Sequence, residues 1–122
     1  MPIELYKILH ITAALAVFAV LGGVLMSAAN GISKEGNSWR KRSAIVHGIG
    51  LALILISGFG LLAKNGISAP PPWALVKVGL WLALGGMLTL AYRAKESRSR
   101  LWWALIGIGA IAAYIGVSWR SW

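Results

Sequence analysis

Residues 5–29 read LYKILHITAALAVFAVLGGVLMSAA, and after Lys7 this stretch carries no charge. At about 1.5 Å per residue it is long enough to cross a hydrocarbon core of about 30 Å as a helix. A secretory signal is the obvious rival. The run exceeds the roughly 7–15 apolar residues of a signal core, and three further runs follow it, so it reads as the first of several membrane spans. Those runs cover about 43–63, 73–92 and 101–119, separated by a polar stretch from Asn30 to Arg42, a proline-terminated connection from Lys64 to Pro72, and a basic stretch from Arg93 to Arg100. Pro70, Pro71 and Pro72 cannot continue a helix, so a new one starts near Trp73.

Composition agrees. The 122 residues are 58% hydrophobic and 12% charged, about half the charge of an ordinary soluble domain, and the mean hydropathy is +0.74. The expected architecture is all-α, a four-transmembrane-helix bundle forming one integral membrane domain over 1–122. A net charge of +9 invites a nucleic-acid reading. However, eight of the twelve Lys and Arg residues (Lys34, Arg40, Lys41, Arg42, Arg93, Lys95, Arg98 and Arg100) lie in the connections after the first and third spans. Under the positive-inside rule those connections face the cytoplasm and both termini face the outer, periplasmic side. Trp73, Trp119, Trp122 and Tyr6 would then form one aromatic belt, with Trp39, Tyr92, Trp102 and Trp103 forming the other.

The absence of cysteine removes disulfides, thiolate nucleophiles, iron–sulfur clusters and thiol zinc sites. Glu4, Glu35 and Glu96 are the only acids and lie outside the spans or at their edges. That weakens a proton-coupled transporter and leaves no triad for hydrolysis. The candidate ligands are therefore His10 and His47, each about one turn inside a span, where polar groups default to functional candidates. Because their helices run antiparallel, the two belong to opposite layers, roughly 15–20 Å apart along the normal. Lys77 and Tyr114 are the expected neighbours of His10. Met26, and with it Met87, are those of His47. Lys77 either snorkels to the headgroups or faces inward toward an anion such as a porphyrin propionate. The fifteen glycines either allow close helix packing or clear space for a flat cofactor.

Lys7-Ile8-Leu9-His10 in the first span, His47 with Ile56-Ser57-Gly58 in the second, Trp73-Ala74-Leu75-Val76-Lys77 in the third and Ala113-Tyr114-Ile115-Gly116-Val117 in the fourth together resemble the small four-helix SirB family. They are more distantly similar to the HemJ type of protoporphyrinogen oxidase and to the CopD copper-resistance membrane domains. The resemblance covers nearly the whole chain. It implies a bundle in the bacterial inner membrane with inward-facing histidines and, in the haem-related relatives, bound haem or porphyrin. Gly48, Ile49 and Gly50 stand where SirB-type members often carry an acid, and the arginine and tyrosine pattern of the oxidases is missing, so protoporphyrinogen oxidation is not carried over.

The expected function is a membrane b-type haem-binding protein for electron transfer or haem handling, with haem b as cofactor and His10 and His47 as metal ligands. The alternative is a small transporter or channel whose polar path His and Lys line, and a catalytically silent membrane scaffold is a third. A homodimer is expected as partner, with Gly48-x-x-x-Ala52, Gly79-x-x-x-Ala83 and Ala112-x-x-x-Gly116 as close-contact faces. In it, symmetry-related histidines at one depth, or His47 with Met26, would complete the ligation of iron.

Overall fold

The structure, a computed structural model, describes residues 2–93 and 98–118. Four helices follow one another: α1 (Ile3–Ala29), α2 (Arg40–Lys64), α3 (Pro72–Arg93) and α4 (Arg98–Ser118). Each carries a segment long and apolar enough to cross a membrane. Lys95, Glu96, Trp119 and Trp122 of the sequence reading lie outside the described residues, as does the side chain of Arg98.

The spans are where the apolar runs place them, with one informative difference that occurs twice. Arg40, Lys41 and Arg42 are the first turn of α2 rather than the end of a loop, and α4 likewise opens at Arg98 within the stretch read as a basic loop up to Arg100. Lys and Arg are good helix formers, and a first turn beyond the apolar segment can keep its charges in water. The reversals after α1 and α2 share the sequence Asn-Gly-Ile-Ser, at 30–33 and 65–68. In each, the glycine adopts positive φ, +84° at Gly31 and +73° at Gly66. The isoleucine amide donates back to the helix, Ile32 to the Ser27 carbonyl at 3.0 Å and Ile67 to the Leu62 carbonyl at 2.9 Å. These are paired Schellman caps, and only glycine adopts that backbone without steric cost. The Asn30 and Asn65 side chains each donate to a further end carbonyl, of Met26 at 2.9 Å and Leu61 at 2.8 Å. Pro72 opens α3 at the position where its missing N–H costs nothing.

α1 packs against all three other helices. Its contact with α2 is an antiparallel zipper: a methyl group at Gly50 would overlap Val17, one at Gly58 would meet the His10 ring at 3.4 Å, and one at Gly60 would overlap the Tyr6 ring. Glycine thus acts here as a close-packing residue between apolar helices. The zipper also fixes a register in which each α1 residue faces the α2 residue whose number brings the sum to about 67. Trp81 Nε1 donating to the Leu51 carbonyl at 2.8 Å sets the level of α3 against α2.

The two halves of the bundle differ. The half nearer the basic connections is filled by Val17, Leu21, Val24 and Leu25 of α1, Leu84, Met87 and Ala91 of α3, and Leu105 of α4. The half nearer the amino terminus is hollow by comparison: although Ser57, Leu61 and Leu62 are buried there, a laterally open cavity lies between the helices.

Candidate functional site

The hollow half contains a cavity of about 720 Å³ to which all four helices contribute walls, within the range typical of small-molecule sites. Phe18, Phe59, Trp73 and Trp81 supply aromatic surface, and Gly109, Ala112 and Gly116 make the α4 wall shallow. Two groups of strong polar chemistry line it, His10 from α1 and Lys77 from α3.

Local structure holds His10 in place. Ser57, fully buried on α2, donates its hydroxyl hydrogen to the Leu53 carbonyl of its own helix, as serine does inside apolar helices. Its oxygen is then an acceptor facing α1. His10 Nδ1 lies 2.9 Å from that Oγ and 3.1 Å from the Ile54 carbonyl. A carbonyl only accepts, so Nδ1 carries the hydrogen and donates to both, which leaves the lone pair on Nε2. A carbonyl-anchored Nδ1–H with Nε2 as the donor atom is the arrangement of metal-ligating imidazoles. Gly58, one residue beyond Ser57, gives the ring room to lie against α2.

Lys77 shares this layer. Trp81 stands beside Leu51, and one turn back along α3 brings Lys77 beside Ile54 and Leu55, the level to which His10 is bonded. The structure thus brings His10 and Lys77 together on one cavity wall system. Tyr114 is not part of it. Its neighbours Ala112 and Ala113 line the cavity, whereas the tyrosine itself is 62% exposed.

His47 sits in a different environment. It is buried, and its Nε2 donates to the Leu84 carbonyl at 3.0 Å. It does not line the cavity. Ligation through Nε2 would cost the bond that ties α2 to α3. From Ile54 and Ser57 back to His47 is seven to ten residues along α2, so the two histidines lie roughly 10–15 Å apart in depth. The sequence reading expected a larger separation, roughly 15–20 Å. The register sets Val20 opposite His47 and places Met26 about six residues nearer the basic end. Met26 is half exposed and lines a separate crevice between α1 and α4, so the His47–Met26 pair is not brought together. Met87 is buried in the packed core. Of the three small-residue faces, Gly48, Ala52, Gly79 and Ala83 are exposed on the outside of the bundle, whereas Ala112 and Gly116 line the cavity.

Sequence reading did not assign Ser57 or Trp81 a role. Both carried a signal, since a hydroxyl or indole N–H in the middle of an apolar span must find an acceptor. Among the described residues, no group of three His, Cys, Asp or Glu side chains gathers to hold a bare metal ion. A metal held by His10 would have to bring most of its ligands with it, as iron in a porphyrin does. The residues fit such a group: an anchored imidazole, a cation for a propionate, and a laterally open apolar cavity of suitable volume. No family model, curated protein or solved structure matches the chain.

Proposed function

We propose that the chain is a bacterial inner-membrane protein that binds haem b in the amino-terminal half of its bundle, with the basic connections on the cytoplasmic side and both termini outside. His10 would hold the iron through Nε2, and Lys77 would pair with a propionate. The single supporting observation that carries this reading is the anchoring of His10 Nδ1–H to the Ile54 carbonyl and Ser57 Oγ on the wall of an apolar cavity. Haem bound there would supply redox-active iron, while the apolar walls would limit water and Lys77 would neutralise one carboxylate. With one imidazole in that layer and His47 engaged by Leu84, the site favours haem handling over electron transfer between two histidine ligands. Lys77 and the surrounding tryptophans suit reversible capture of an amphiphile from the bilayer.

The test is a haemin titration of the purified protein in detergent. A Soret band saturating at one haem per chain, with the spectrum of a single histidine ligand, is the expected result. The absence of any band at saturating haemin would refute the proposal.

A further inference from the structure

A second crevice, of about 280 Å³, opens at the opposite end of the bundle between the last turn of α1 and the first turn of α4. Leu25, Met26 and Ala29 form one side, and Ser99 and Trp102 the other. Leu25 is fully buried at its floor, while Met26 is 52% and Trp102 36% exposed at its lips. Trp102 is braced by Trp103, whose ring meets it edge-on at a centroid distance of 5.0 Å. The crevice is therefore an apolar slot open sideways, with Ala29 and Ser99 toward its polar end.

That end of the molecule is cationic. Asn37 Nδ2 donates to the Tyr92 hydroxyl at 3.0 Å, which docks the α1–α2 connection on the end of α3. Lys34 stands over the same ring, 6.0 Å from its centroid. Arg42 covers the Trp39 ring at 4.8 Å. Lys34, Arg40, Lys41, Arg42, Arg93 and Arg100 face only Glu35 as a formal acid among the described residues of this end. A ligand matching both features is apolar where it enters the slot and anionic where it meets water. Basic pockets between spans at this membrane face are suited to anionic headgroups.

We infer that the α1–α4 crevice seats one acyl chain of an anionic phospholipid, whose phosphate lies at the mouth beside Ser99, next to Arg100 and within the basic end of the bundle. A neutral lipid would gain nothing from the cations, and a free phosphate would leave the slot empty. The inference does not rest on haem binding at His10.

Native mass spectrometry of the full chain, with phosphatidylglycerol and phosphatidylcholine of identical chains, tests it. Each nearby Lys or Arg adds about 1 kcal/mol toward an anionic lipid, or about fivefold. Wild type should retain one phosphatidylglycerol at least about fivefold over phosphatidylcholine. Arg100→Gln should lower that ratio about fivefold, and Met26→Trp, which fills the slot, should remove the tightly retained lipid. Ala29→Phe is the second slot-filling variant, and whichever keeps the wild-type helical circular dichroism decides. Equal retention of the two lipids by wild type would overturn the inference, as would undiminished retention in the folded slot-filling variant. Displacement of the lipid by glycerol phosphate alone would assign the site to the phosphate and overturn the acyl-chain seat.

Discussion

His10 and His47 occupy equivalent places in sequence, each about a turn inside an apolar run, yet they meet opposite surroundings. His47 is in the filled half of the bundle, where Nε2 donates to the Leu84 carbonyl and the ring is buried. His10 borders the hollow half, where Nδ1–H is anchored and Nε2 keeps the lone pair. In both rings a carbonyl on a neighbouring helix selects the nitrogen that carries the hydrogen; what differs is that His10 lines the cavity and His47 does not.

The contrast between a filled and a hollow half breaks first in packing. Leu21→Ala removes a fully buried side chain from the core and should cost about 2–5 kcal/mol. Leu80→Ala, on the wall of the existing cavity, makes no new closed void and should cost less than about 1 kcal/mol by the same reasoning. Unfolding in mixed micelles measures both, and equal losses would mean that the hollow half is as tightly packed as the other. Next comes Gly60→Ala. Its methyl would overlap the Tyr6 ring, and overpacking of this kind costs about 1–3 kcal/mol. A neutral result in the same unfolding assay would show that α1 and α2 are less closely apposed.

Lys77→Met sharpens the ligand side. Losing a charge-assisted bond to a carboxylate should weaken haem binding about tenfold, with no loss for the dimethyl ester of haem. If both ligands weaken equally, Lys77 acts through packing rather than charge. His47→Leu should lower stability by about 1 kcal/mol, the scale of a single interhelical hydrogen bond in a membrane. Its haem affinity should remain close to that of wild type in the titration.

How much of this was legible in the sequence depended on which rule a residue obeys. The spans follow from apolar run lengths, and the layering of His10 and His47 follows from the antiparallel order of those runs. Which way a side chain points did not follow. Each helix is apolar nearly all round, so no polar stripe distinguishes core from lipid. Tyr114 and Lys77 therefore looked equally able to meet His10, and only packing turned Lys77 onto the cavity wall and left Tyr114 exposed. The same ambiguity paired Met26 with His47, although the glycine zipper sets them about six residues apart in level. Ser57 was visible as a polar residue deep in a span. Its service to His10 required the register of α1 on α2, which three glycine contacts fix and no local propensity encodes.

The most direct measurement is a parallel haemin titration of His10→Ala and His47→Leu under identical detergent conditions, with helical circular dichroism as the fold control. His10→Ala should weaken binding by more than about 100-fold, the scale of losing a ligating imidazole, and added imidazole should restore the Soret band. His47→Leu should stay within about threefold of wild type, since it removes no ligand in this account. Loss of the band in folded His47→Leu with retention in His10→Ala would contradict the assignment of the two histidines, and so would an unchanged spectrum in both.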